Sequence, residues 1–132
     1  MSYKINYQPY IKRSDLQINK GFIFVFGDND QRSGFGGQAK EMRGEPNAIG
    51  IRVKKRPSLD TGSFYTDDEY ADNIKKITED LNHLEIISKN KIIVFPSSGI
   101  GTGFANLKIS APRTFDYLTS QLKQKFDIHN EY

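Results

Sequence analysis

Lys91-Ile-Ile-Val-Phe-Pro-Ser-Ser-Gly-Ile-Gly-Thr-Gly-Phe-Ala-Asn-Leu107 is the stretch that decides how the chain is read. Ile92 to Phe95 form a short apolar, β-rich run of the kind found in strands buried on both faces. Pro96 ends the run, because proline has no N–H for a sheet ladder. Ser97 to Gly103 then supply hydroxyls and three alternating glycines, so the backbone can turn sharply with its N–H groups pointing outward. Between a strand and a helix, such a loop can cradle phosphate without a lysine. An ordinary glycine-rich turn is the competing reading, since a lone Gly-x-Gly-x-Gly carries little weight. The loop is not a Walker A motif, because no Gly-Lys-Ser/Thr follows.

A second stretch upstream repeats the design. Phe22 to Phe26 is an unbroken apolar run that enters Gly27-Asp28-Asn29-Asp30 and then Gly34-Phe35-Gly36-Gly37-Gln38-Ala39. A helix is expected over about 38–43, with Gly36 and Gly37 leaving room for a ligand at its N-terminus. Asp28 and Asp30 are either a catalytic carboxylate pair or turn-closing side chains, the commoner use of Asp and Asn in such loops.

Outward from these two stretches, Tyr3 to Ile11 alternates loosely and reads as a first strand at a sheet edge, given Pro9. Ser14-Asp15-Leu16 reads as a cap on a short helical turn through Ile18. Ala48 to Val53 is another strand, running into Lys54-Lys55-Arg56; these cations are either a solvated strand end or a source of one charge for the ligand site. Ser58 to Tyr65 is an irregular loop and a candidate lid. Thr66-Asp67-Asp68-Glu69 matches a capping box. Behind it, Tyr70, Ile74, Ile77, Leu81 and Leu84 fall at helical spacing, with Lys75, Lys76, Glu79 and Asp80 expected on the far side. His83 flanks that stripe as a surface residue. The last helix is expected over about 110–126, with Pro112 in its first turn and Phe115, Leu118, Leu122 and Phe126 on one face. Residues 127–132 read as a loosely held tail.

The 132 residues suffice for one domain, 1–132, with one core. A hydrophobic share of 36% and 16 Phe and Tyr residues place the chain among folded, soluble proteins. The absence of cysteine excludes disulfides, thiolate zinc sites and a cysteine nucleophile. Two histidines are too few for a His-rich metal site, so neither metal nor cofactor is expected. No signal peptide or membrane-length apolar run is present, which reads as a cytoplasmic protein without membrane contact. The chain is expected to act as a monomer. Net charge is +3 and the pI is near 9.0, which suits an anionic ligand. Helices alternating with buried strands predict an α/β sandwich, three-layer α/β/α with a mostly parallel or mixed sheet, and ligands outside the carboxyl ends of the strands.

With both glycine loops in view, the chain resembles the macrodomain family. The likeness is to the compact branch holding terminal ADP-ribose protein glycohydrolases and the antitoxin macrodomains that remove ADP-ribose from DNA. Four segments, spread over nearly the whole chain, match in the family's order. Tyr10-Ile-Lys-Arg-Ser-Asp15-Leu16 is similar to the early Gly-Asp-Leu/Ile segment, which implies an adenine contact for Asp15 beside Leu16, with Ser14 in place of the family's glycine. Asn29 to Ala39 is similar to the first loop, implying that Asn29 lies near the distal ribose and that Gly36, Gly37 and Gln38 contact ligand. Ile51 to Arg56 resembles the strand end that carries this branch's catalytic lysine, and Lys54 is the matching position. Ser98-Gly99-Ile100-Gly101-Thr102-Gly103-Phe104 resembles the diphosphate-binding second loop, the most specific match of the four.

The family's aspartate after the second loop has no counterpart, because the run reads Gly103-Phe104-Ala105-Asn106. Ala105 stands at the carboxylate's place, and Asn106 can orient a water or a ribose hydroxyl but cannot act as a general base. The resemblance implies binding of ADP-ribose or a related NAD-derived nucleotide. It also implies hydrolysis of ADP-ribosyl linkages on protein or nucleic acid, with Lys54 either attacking the anomeric carbon or contacting phosphate. Two alternatives stand beside it: a non-catalytic nucleotide reader, and a nucleic-acid-binding module using Lys54, Lys55, Arg56 and the lysines of the last helix.

Overall fold

The structure, a computed structural model, describes residues 3–130. Four strands form one sheet: β1 (Lys4–Gln8), β2 (Ile23–Asn29), β3 (Ala48–Lys54) and β4 (Ile92–Pro96). All pairings are parallel, in the order β1-β4-β2-β3. The two apolar runs therefore form the central strands, where both faces must be covered. The looser Tyr3–Ile11 segment makes the short edge strand, which stops before Pro9. Pro96 is the last residue of β4.

Helices α1 (Arg13–Ile18) and α2 (Ala39–Met42) cover one face, where Leu16 and Met42 pack on Phe24, Phe26 and Val94. Helices α3 (Tyr70–Ile87) and α5 (Pro112–Phe126) cover the other, where Ile77, Leu81, Phe115 and Leu122 join Val25, Ile51 and Phe95. This is an α/β fold with helical layers on both sides of a parallel sheet. Between β4 and α5, the short α4 (Leu107–Ser110) ends at Ala111, whose backbone (φ −148°, ψ 71°) lies outside the helical region that a following proline disfavours. Pro112 then opens α5 where its missing N–H costs nothing.

Three expectations about local structure change. Asp80 does not face solvent: it is buried at 5% exposure, taking hydrogen bonds from the Arg52 N–H and from the Arg32 and Arg52 guanidinium groups. Those partners offset the burial of a carboxylate that helical periodicity places outside. The Thr66 side chain does not cap α3. Instead a 3-10 turn (Asp67–Glu69) precedes the helix, and the Asp67 carboxylate caps α5, accepting from Arg113 N–H, Thr114 N–H and Thr114 Oγ1. Finally, residues 127–130 are not loose. Ile128 is wholly buried and Asn130 nearly so; Glu131 and Tyr132 lie outside the described residues.

The Asp67 cap carries a pH signature. Burial works to raise its pKa, but the hydrogen bonds from Arg113 and Thr114 outweigh it and hold the carboxyl below its usual 3.8. A carboxyl lowered on folding adds stability above its unfolded pKa and loses it as pH falls through the folded value. Asp67→Ala is expected to cost about 1 kcal/mol at pH 7. In urea titrations, the gap between variant and wild type should close below about pH 4.

Candidate functional site

The carboxyl ends of β2, β3 and β4 converge on one edge of the sheet. β2 and β4 are neighbours, yet β2 leads to α2 on one face and β4 to α4 and α5 on the other. Where adjacent connections diverge in this way, an open parallel sheet leaves a crevice. A cleft of about 830 Å³ lies there, bounded by residues 33–39 after β2 and 98–105 after β4. That volume is within the usual range for small-molecule sites.

Close packing shapes the two loops. Gly101 sits at φ +85°, and a Cβ there would lie 3.1 Å from Leu107 Cδ2, so both conformation and space require glycine. Gly34 sits at φ +88°, with Pro57 only 2.5 Å from where a Cβ would be. The two loops meet at Phe104, whose ring lies 3.8 Å from the Cβ positions of Gly36 and Gly37. The N–H groups of Gly36, Gly37 and Gln38 on one side, and of Gly101, Thr102 and Gly103 on the other, have no hydrogen-bond partner among the described residues. Phe35, Leu59 and Phe104 line the same cleft and are exposed.

Electrostatics favour an anion. Asp28 is the one acidic residue in the lining, and both its oxygens are occupied: Oδ1 by Arg43 at 2.7 Å and the Asn29 N–H, Oδ2 by Arg32 at 3.2 Å. Arg43 also donates to the carbonyls of Ser33 and Gly34, fastening the first loop to this buried carboxylate. Lys54 lies at the end of β3 beside a register shift, in which Asp28 pairs with Arg52 but Asn29 with Lys54. Such a bulge re-aims side chains. Lys54 is 7% exposed and its ammonium has no hydrogen bond or ion pair among the described residues, only the Phe64 ring at 4.8 Å. Burial holds its pKa below the usual 10.5.

The chain matches a family described as a family of unknown function, DUF7831, over residues 6–121. It belongs to that family. No curated protein and no solved structure matches it.

In this DUF7831 member, the residues singled out from sequence divide into two groups. Lys54, Asn29, Gly36, Gly37 and Gln38, together with residues 98–104, all border the cleft, and so does Ala105. Two of these side chains are already engaged. Asn29 closes its own turn through Gln31 N–H and Ser33 O, and Gln38 bonds both the N–H and the carbonyl of Ile11. Asp15, Leu16 and Asn106 are not in the cleft lining. Asp15 Oδ2 accepts from Lys12 N–H and the Gln8 amide, which is the helix-cap role. Leu16 is wholly buried on the sheet-facing side of α1, and Asn106 is an exposed residue in the left-handed conformation ahead of α4.

Asp28 and Asp30 are not a catalytic pair. Asp30 binds the Tyr65 hydroxyl and Lys76 Nζ, apart from the Asp28–arginine cluster. The candidate lid is also revised: Tyr65 is wholly buried and Phe64 bridges back to Lys54, so only Ser58 and Leu59 of that loop, with Pro57 just before it, reach the cleft. Sequence reasoning missed Arg43 and Asn130. No local pattern marks either, since their partners are 15 and 30 residues away. Among the described residues, no cluster of His, Asp and Glu is placed to hold a metal ion, and no helix is long and apolar enough to cross a membrane.

Proposed function

We propose that this chain is a macrodomain-like protein that binds ADP-ribose or a related NAD-derived nucleotide in the cleft between its two glycine loops. The carrying observation is the pair of facing loops with unclaimed N–H groups above a cleft that has no free carboxylate. A diphosphate needs several donors at once and no competing negative charge, and backbone amides supply them without a counter-ion. The exposed Phe35 and Phe104 offer apolar cover for a ribose or base.

Gly36 provides the cleanest test. Its backbone is not left-handed and a Cβ would have 3.8 Å of clearance, so Gly36→Val is compatible with the fold while narrowing the approach to the amides. By calorimetric titration, wild type should bind ADP-ribose more tightly than AMP, and Gly36→Val should lose about tenfold or more of that affinity with an unchanged thermal transition. Equal affinity for ADP-ribose and AMP, or an unaffected variant, would sink the two-loop site.

Lys54 favours a second reading of the same site, as a hydrolase of ADP-ribosyl linkages on protein or nucleic acid. A buried amine without a counter-ion, its pKa lowered, is the state in which lysine becomes a nucleophile.

A further inference from the structure

We infer that Asn130 is a positioning residue for the second glycine loop, holding it so that its free N–H groups face the cleft; the consequence for affinity rests on the nucleotide-binding reading above. Asn130 does not border the cleft. Asn130 is 2% exposed, and its side chain clamps a single residue of the loop: Oδ1 accepts from Ile100 N–H at 2.8 Å, and Nδ2 donates to Ile100 O at 3.0 Å. A primary amide presents an N–H donor and a carbonyl acceptor side by side in one plane, so it completes Ile100 as a neighbouring strand would.

Ile100 is the centre of the loop's constraint. It is 1% exposed, so its polar backbone atoms have no access to bulk water. On one side Gly99 N–H bonds Pro96 O, and on the other Leu107 N–H bonds Gly101 O, both at 2.9 Å. With Ile100 satisfied from behind, nothing in the protein needs the N–H groups of Gly101, Thr102 and Gly103, and they remain for a ligand. The segment carrying Asn130 is itself anchored. Ile128 is wholly buried, and His129 N–H donates to Tyr7 Oη at 2.9 Å. Truncating the Asn130 side chain leaves a buried donor and acceptor unpaired, a state a backbone escapes by moving. A part of the chain that reads in sequence as a loosely held tail thereby governs the geometry of the site.

The test compares Asn130→Ala with wild type in three measurements: the thermal transition, affinity for ADP-ribose and for adenosine, and amide hydrogen exchange. The expected result is about tenfold weaker ADP-ribose binding with adenosine unchanged, because only the phosphates use the loop. Exchange at Gly99 and Leu107 should quicken about tenfold while the core of α3 keeps its protection. A merely structural role would lower the transition and weaken both ligands alike. Unchanged ADP-ribose affinity in the variant, or unchanged exchange at Gly99 and Leu107, overturns the inference. If wild type fails to bind ADP-ribose, the nucleotide reading falls, and the exchange rates alone decide whether Asn130 holds the loop. Should alanine unfold the protein, Asn130→Asp, which keeps the acceptor for Ile100 N–H but not the donor, is measured in its place.

Discussion

Asp28→Ala should lower the stability of the folded chain by about 3–5 kcal/mol, because it strands arginines that are arranged around one buried carboxylate. The side chain of Asp28 is 3% exposed and that of Arg43 only 16%. Removing the acid leaves the Arg43 guanidinium partly desolvated, near the Phe26 ring but without its counter-ion. Such a loss is a large share of the roughly 5–15 kcal/mol that holds a typical domain together. The effect also reaches the cleft, since Arg43 ties the Ser33 and Gly34 carbonyls to Asp28. Gly50 makes the cluster still less tolerant: a Cβ there would lie 2.5 Å from Asp28 Oδ2, so space rather than dihedral angle excludes a side chain. Urea unfolding checks this directly. A midpoint for Asp28→Ala within error of wild type would show that the cluster is dispensable.

For Lys54 the expected effects on stability and on chemistry have opposite signs. Its folded pKa is lowered by burial, so between that value and 10.5 the unfolded chain binds more protons than the folded one. Stability should therefore rise with pH through that window, and Lys54→Met should flatten the rise and melt at a higher temperature at pH 7. Under the hydrolase reading, the neutral amine donates its electron pair to the anomeric carbon. The bond to the leaving oxygen or nitrogen breaks with its electrons, and water later releases the sugar from lysine. Turnover of an ADP-ribosylated substrate should then rise with pH until Lys54 is deprotonated. Lys54→Arg should reduce it by several orders of magnitude while sparing ADP-ribose affinity, because guanidinium stays protonated. With Ala105 bordering the cleft where the family resembled in sequence carries an aspartate, Ala105→Asp should raise the rate if a general base is what limits it. Absence of turnover by wild type on both protein and DNA substrates, with Lys54→Arg merely shifting affinity, would leave the binding reading standing alone.

What was legible in the sequence was what neighbours along the chain decide. The apolar runs of β2, β3 and β4 and the periodic faces of α3 and α5 declare themselves within a few residues, and the two glycine loops follow from where the strands stop. The misreadings share a different cause. Asp80 is buried because Arg32 and Arg52 arrive from other elements to meet it. Asp67 caps a helix that begins far downstream of its own. The bulge beside Lys54 exists only in the pairing of β3 with β2. Asn130 looks like part of a polar tail until Ile100 is folded against it. In each case the deciding contact is made across the fold, and no window of sequence contains both sides of it.

The placement of β1 has a consequence for how the protein is made. Its partner is β4: Lys4 lies opposite Ile92 and Gln8 opposite Pro96, while Tyr3 rests on Phe126 at 5.0 Å. Of these four strands β1 is made first and its partner β4 last, so β1 must wait roughly 4–18 s for it at ordinary rates of synthesis. Meanwhile β2 and β3, adjacent in sequence and in the sheet, can already pair. Assembly of this sheet is thus expected to start with β2 and β3 and to finish when β1 pairs with β4, and the nascent chain must keep Tyr3, Ile5 and Tyr7 from other partners until then.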